Sequence, residues 1–300
     1  GSENWNVSVI IENSEIVAAM PYYQKKILFF NEIRMPRLTP KLGPWIRKKV
    51  SISKEFKYLN SLIDQLPNFS YFHQNWSPNK KYWQPFLWRG YSQSTSYSYI
   101  LPDLDNMDQI YKKFSGDNRR RIQNAIRNNI QIRDEDNIDS FFKLQDQTFA
   151  RQNYINFNTK KYILKIEKLL KKKKKRKIFI AYDKNNQDHA GVYIAWDQNT
   201  CYYLMGGANP KYRSSGATNL CLWHAIQFSS KVSKKFDFEG SMIQSIDKFF
   251  RNFGCEPYSY FSIKKSNSVL YSVFYIIKPF IKKNIKLFLK IINIVKNLRK

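Results

Sequence analysis

Two carboxylates one residue apart, Asp237 and Glu239, stand in the strand-like stretch Phe236-Asp237-Phe238-Glu239-Gly240-Ser241, immediately before a glycine break. Alternation along a strand puts both acids on one face and the phenylalanines on the other. A carboxylate facing a cleft can take a proton from an attacking amine when burial or a like-charged neighbour raises its pKa toward neutrality. Pairing with Lys248 or Arg251 on the following helix is the structural alternative. A second stretch, Gly206 to Ala217, joins a strand to a helix starting near Thr218. Gly206, Gly207, Ser214, Ser215, Gly216 and Ala217 are small enough to let a ligand approach the backbone. The free N–H groups of a helix N-terminus attract a diphosphate, and Arg213 adds a formal charge. The same glycines also suit an ordinary strand-to-helix turn.

Three cysteines (Cys201, Cys221, Cys255) and three histidines (His73, His189, His224) are scattered without zinc-site spacing, so no structural metal is expected. An odd, unclustered cysteine count makes no disulfide framework and points to a reducing compartment, the cytoplasm. Trp83, Trp88, Arg89 and Tyr91 put aromatics beside a cation, a composition that stacks on sugar rings or nucleobases or else fills a core. The chain has 51 Lys plus Arg against 23 Asp plus Glu, a net charge of +28, which favours an anionic partner or surface. The unbroken basic run Lys171 to Lys177 is either a solvated helix end or a field for a polyphosphate, an acidic carrier protein or tRNA.

Positioning these groups falls to the elements around them. Strands are expected at Trp5 to Ile11, Glu15 to Tyr23 and Lys26 to Arg34, a helix at Lys54 to Leu66, and strands at Phe69 to Gln74 and Tyr91 to Leu101. Helices follow at Gln109 to Asn128, Ile138 to Gln152 and Thr159 to Lys172. A meander over Lys177 to Tyr182, Ala190 to Asp197 and Cys201 to Gly207 leads to a helix at Leu220 to Val232. Strand Lys235 to Phe238, helix Ile243 to Phe253 closed by Gly254, and strand Tyr258 to Lys264 complete an α/β order, neither all-β nor a bundle. Ile281, Ile285, Phe288, Ile292 and Val295 recur at helical spacing among lysines, without an acidic residue. That pattern reads as an in-plane helix on an anionic membrane over Lys278 to Lys300, or as a stripe docked on the first lobe. No signal-like or spanning stretch is seen, so the chain is expected to be neither exported nor integral to a membrane, with an N-terminal domain that begins incomplete after Gly1 and Ser2.

On these residues the chain resembles the GNAT acyltransferases, and among them the Fem-type peptidyltransferases and related proteins of envelope gene clusters. Arg213-Ser214-Ser215-Gly216-Ala217-Thr218 is similar to the family's Arg/Gln-x-x-Gly-x-Gly/Ala joint and departs from it at Thr218. Phe236 to Gly240 and Phe249-Phe250-Arg251-Asn252-Phe253-Gly254 resemble the Fem-type aromatic-Asx-Phe-x-Gly strand and the Phe-Gly turn after it. The Arg-rich stretch Asn118 to Asn128 and the ending Thr148 to Gln152 resemble the opening of the second lobe. The likeness spans most of Asp117 to Lys264.

The resemblance implies an α/β fold of tandem GNAT-like lobes, with mixed, mostly antiparallel sheets flanked by helices and an incomplete first lobe. It places a partial acceptor-side lobe at 1–107, a donor-side lobe at 108–264 and a basic C-terminal segment at 265–300. It implies an N-acyltransferase that uses acyl-CoA or acyl carrier protein, without metal, on an amine of an envelope precursor such as an amino sugar or lipid-linked intermediate. Glu239 or Asp237 would accept the proton, Tyr203 or Tyr260 would protonate the leaving group, and Arg251 would steady negative charge. Gly206, Gly207 and Arg213 to Ala217 would hold the donor, with Trp83, Trp88, Arg89 and Tyr91 near the acceptor. An aminoacyl-tRNA-dependent Fem-type transferase and a non-catalytic membrane- or polymer-binding scaffold are the rival readings. The expected location is cytoplasmic, peripheral on the inner face of the membrane.

Overall fold

The computed structural model describes residues 4–151, 157–240 and 242–277. The chain divides into two compact units, residues 1–95 with 260–300, and residues 96–259. The sequence places its boundaries at 107/108 and 264/265, whereas the units change at 95/96 and 259/260, within strands. The segment Lys278 to Lys300 lies outside the described residues, and among those described no helix is long and apolar enough to cross a membrane.

In the first unit, β1 (Trp5–Glu12) and β2 (Glu15–Ile27) join through Asn13 and Ser14, whose φ of 51° and 61° are the left-handed pair that a two-residue hairpin needs. β2 runs on to Ile27 and turns at Leu28 and Phe29 into β3 (Phe30–Arg34), so the expected Lys26 to Arg34 strand is split by a hairpin. A short β4 (Trp45–Ile46) pairs with β2. α1 (Ile52–Asp64) is capped by Ser51, whose side chain accepts the Lys54 N–H, and it buries Tyr58, Leu59, Leu62 and Ile63. β5 (Tyr71–Asn75) pairs in parallel with β3, and α2 (Gln84–Trp88) follows.

β6 (Ser92–Leu101) carries the chain into the second unit. The helix expected over Gln109 to Asn128 is two, α3 (Met107–Lys113) and α4 (Gly116–Arg127). Phe114 turns extended between them, and Ser115 caps α4 by accepting the Asn118 N–H at 3.1 Å. There follow β7 (Gln131–Glu135), α5 (Ile138–Arg151), α6 (Phe157–Lys172), β8 (Arg176–Tyr182), β9 (Asp188–Trp196) and β10 (Thr200–Ala208). Next come α7 (Ala217–Ser229), β11 (Lys235–Asp237) and α8 (Gln244–Arg251), and β12 (Glu256–Ser266) returns to the first unit. There β12 pairs antiparallel with β5.

The second unit's sheet runs β7-β8-β9-β10-β11-β6. Only the β10–β11 pair in it is parallel, and α7 makes the crossover that a parallel pair requires. α7 is apolar nearly all round and buries Leu220, Cys221, Leu222, Ala225 and Ile226 against Phe179, Val192, Ile194 and Phe236 of the strands. α5 covers the same sheet so closely that a Cβ on Gly207 would stand 2.6 Å from the Gln145 nitrogen.

Candidate active site

β10 and β11 pair only over Thr200↔Lys235, Cys201↔Phe236 and Tyr202↔Asp237. Beyond that point the strands part, because β10 continues to Ala208 while β11 ends and the chain turns at Glu239 and Gly240, both left-handed with φ of 67° and 64°. A side chain on Gly240 would collide with the Tyr97 carbonyl oxygen, so the turn needs glycine there. The parting opens a cleft of about 820 Å³, walled by Tyr203 to Gly206 on one side and Phe238 to Gly240 on the other. Thr218 and Asn219 at the start of α7, and Ser245, Lys248 and Asn252 on and after α8, close its ends. That volume lies within the range of ligand-binding clefts.

The two carboxylates do not share a face. Asp237 is 3% exposed, and its Oδ1 accepts the Ser98 hydroxyl at 2.6 Å and the Glu239 backbone N–H at 2.8 Å. Glu239 lies past the strand end and lines the cleft. Strand alternation therefore misplaced the pair, because the backbone leaves the β region at Glu239. A left-handed non-glycine residue costs on the order of 1–3 kcal/mol, and such positions gather at functional sites.

In the 206–217 joint, Gly206 and Arg213 line the cleft. A Cβ on Gly206 would strike the Tyr203 hydroxyl, so a larger residue there would have to displace that ring. Gly207 faces α5 instead. Ser214 is exposed, the Ser215 hydroxyl accepts the Ala217 N–H at 3.3 Å, and Ala217 is buried. Gly216 is the N-cap of α7 at φ 75°, and a side chain there would collide with the Arg121 carbonyl oxygen. The turn before it is held by the Tyr212 ring stacked on His189 at 3.9 Å. A buried chain of amides ties the start of α7 to its neighbours: Asn219 donates to Asn118 at 2.7 Å, and Asn118 donates to the Asn252 carbonyl at 3.1 Å.

Four cations, Arg121, Arg151, Arg213 and Lys248, line the cleft against two carboxylates, Asp117 and Glu239. Hydrogen bonds from Arg121 and then Arg120 hold Asp117 below the usual carboxylate range. Burial pushes the Tyr203 phenol up, so it keeps its proton at neutral pH. Burial likewise pushes the Cys201 and Cys255 thiols up to about 12 and raises Cys221, which leaves no nucleophilic thiolate. Among the described residues no cluster of His, Cys, Asp or Glu could hold a metal ion.

The remaining sequence candidates lie elsewhere. Arg251 donates to Asp247 at 2.9 Å, and Asp247 also accepts the Tyr99 hydroxyl. Tyr260 is on β12, in the first unit. Also in that unit, Tyr91 is buried against Phe72 and Phe86 at 5.1 and 5.0 Å, with Trp83 packed on the same core. Arg89 forks onto Asp64, and Trp88 is exposed with its edge toward Phe56. The aromatic-rich stretch is thus largely core. Sequence reasoning did not single out Arg151, Lys248, Thr218 or Asn219 as site residues; Arg121 was visible only as part of an Arg-rich helix.

Residues 112–238, which include β10, the left-handed Gly216 and β11, match a known family described as acetyltransferase (GNAT) domain. The match covers less than half of the chain. No curated protein sequence matches the chain. Among solved structures, FemX is similar at a TM-score of 0.65 and 12% identity, over 86% of this chain and 88% of that one. The C-terminal domain of a protein described as the lysylphosphatidylglycerol synthetase of Agrobacterium fabrum is similar at 0.54 and 12%, over 87% and 84%. A tandem GNAT protein from the clavulanic acid biosynthesis pathway is similar at 0.55 and 7%, over 89% and 85%. These likenesses are of fold, and their coverage gives the chain a tandem GNAT-like α/β architecture.

Proposed function

We propose that the GNAT domain transfers an acyl group from acyl-CoA or an acyl carrier protein to an amine of a cell-envelope precursor, an amino sugar or a lipid-linked intermediate. The parting of β10 from β11 carries this reading, because it opens a length of strand backbone beside Glu239 and four cations. Arg213 and the first amides of α7, at Thr218 and Asn219, suit the donor's phosphates. The β10 edge beyond Tyr202 suits the acyl carbonyl, where backbone N–H groups would stabilise the oxyanion. In the transfer step the amine nitrogen bonds to the acyl carbon and the C–S bond breaks. Glu239 takes the amine's proton, and the Tyr203 hydroxyl gives one to the departing sulfur.

An envelope substrate is supported by the fold likeness to FemX and to a protein named for lysylphosphatidylglycerol synthesis. Those neighbours, the cationic cleft and the +28 charge also support a second donor, an aminoacyl-tRNA. The proposed place of work is the cytoplasmic face of the membrane, held there by Lys278 to Lys300.

Thermal unfolding with CoA tests the donor. At a concentration 100 times its Kd, a cosubstrate stabilises the fold by about 2.7 kcal/mol, and Arg213→Ala is expected to remove most of that gain. Aminoacyl-tRNA binding that falls steeply with salt, with no response to CoA, would move the reading to the second donor. No response to either, and no turnover of any thioester, would overturn it.

A further inference from the structure

We propose that the first unit carries a bilayer-inserting wedge, formed by the Leu28–Phe29 hairpin tip and the outward face of the helical residues 269–277. The inference rests on the reading of a membrane-borne acceptor, and it adds to Lys278 to Lys300 a second lipid-facing surface on the first unit.

The two hairpins of this sheet make the first argument. The β1–β2 turn uses Asn13 and Ser14, small polar residues suited to its left-handed backbone. The β2–β3 turn, closed by Ile27↔Phe30, has Leu28 at φ 54° followed by Phe29, and the two are 68% and 69% exposed. A bulky apolar residue in the left-handed region, with its side chain in water, is unfavourable for folding on both counts. At Leu28 the turn would be served as well by asparagine or glycine, and Phe29 touches the fold through its ring contact with Phe30 at 4.2 Å while most of it stays in water.

The second argument is what stands beside the tip. Phe30 packs on Tyr271 and Phe274 at 5.2 and 5.5 Å, which fixes residues 269–277 next to the hairpin. Tyr271 and Phe274 are that helix's inner face. Val269, Leu270, Val273 and Ile276, at helical spacing on the other face, are exposed by half or more. Apolar patches of this kind mark interaction surfaces.

Charge selects the occupant. Lys25 and Lys26 are exposed directly before the tip, and from Pro257 to the C-terminus the sequence contains no Asp or Glu. The nearby Glu32 is buried, accepting the Tyr271 hydroxyl at 2.7 Å and paired with Arg34. An apolar wedge with Lys25 and Lys26 at its rim fits an anionic bilayer, whereas a second copy of a chain of net charge +28 would be repelled.

The test compares the full-length wild type with Leu28→Asn/Phe29→Ser and with Val273→Ser/Ile276→Ser. Each is floated with vesicles of phosphatidylglycerol and phosphatidylcholine, and with phosphatidylcholine alone. Both variants should lose about tenfold or more of their partition into the anionic vesicles. The tip variant should keep or raise the melting temperature, because asparagine relieves the left-handed position. Unchanged partition of both variants would overturn the proposal. So would a wild-type dimer that either variant makes monomeric, since the patch would then be a self-interface. Flotation needs no turnover, so failure of acyl transfer with soluble donor and acceptor would strike the catalytic reading and leave this result standing.

Discussion

One oxygen of Asp237 accepts both the Glu239 backbone N–H, at 2.8 Å, and the Ser98 hydroxyl, at 2.6 Å, so the buried carboxylate holds the next acidic residue in a left-handed turn at the cleft wall. The two acids therefore have separable effects. Glu239→Gln should lower turnover about 100-fold or more with little change in melting temperature, as loss of a general base does. Glu239→Gly should also abolish turnover, yet raise stability by on the order of 1 kcal/mol by relieving the backbone. Asp237→Ala should cost about 1–3 kcal/mol through two unsatisfied partners and lower turnover by misplacing Glu239. Steady-state kinetics beside thermal melts checks all three; full turnover in Glu239→Gln would remove the base from Glu239.

Gly216 makes the sharpest steric demand in the joint. Its φ of 75° and its contact with the Arg121 carbonyl leave no room for a methyl group. Gly216→Ala is expected to destabilise the fold by roughly 1–3 kcal/mol from the backbone alone. It should also weaken donor binding, because the start of α7 must shift from Arg121. Gly116 has open space around its Cβ position, so Gly116→Ala serves as a control with little loss.

The α/β order and the meander were legible because β8 and β9 are short, almost wholly buried apolar runs and polar turn residues separate them from each other and from β10. The break between α3 and α4 was not, because both carry helical spacing and only Ser115, as a cap, marks the junction. β7, with its alternation carried by half-buried charged residues, offered no apolar signal. At the site, Gly206, Arg213 and Glu239 were legible from residue type next to glycine. Arg151 and Lys248 were not, since an arginine at a helix end or a lysine on a helix says nothing about the cleft that tertiary packing places beside it. Asp237 misled because alternation holds only while the strand lasts.

The basic run shows the same limit and yields a prediction. Arg176, its sixth residue, is 8% exposed and donates to Glu167 at 2.6 Å and to Asp136 at 2.8 Å; Glu167 in turn accepts the Tyr193 hydroxyl at 2.6 Å. Arg176→Ala would leave the Glu167 carboxylate buried without its cation, a loss of about 3–5 kcal/mol. Lys173→Ala, at an exposed position of the same run, should stay within about 0.5 kcal/mol. Urea unfolding of the two variants distinguishes a structural arginine from a solvated lysine, and equal midpoints would contradict the assignment.

His73, in the first unit, makes stability depend on pH. Burial, reinforced by the nearby Lys264 charge, lowers its pKa from the ordinary 6.5 to about 4, while its Nε2 lies 3.2 Å from Asn75 Oδ1 and 3.1 Å from Ser262 Oγ. Between those two values the unfolded chain binds a proton that the fold does not, so stability rises with pH across that window. Acidification from pH 6.5 to about 4 should therefore cost up to about 3 kcal/mol, with no further contribution from this group above or below. His73→Gln keeps a polar side chain and removes the titration. Its urea midpoints at pH 7, 5.5 and 4 should fall less steeply than those of the wild type, and parallel curves would show that the proton uptake lies elsewhere.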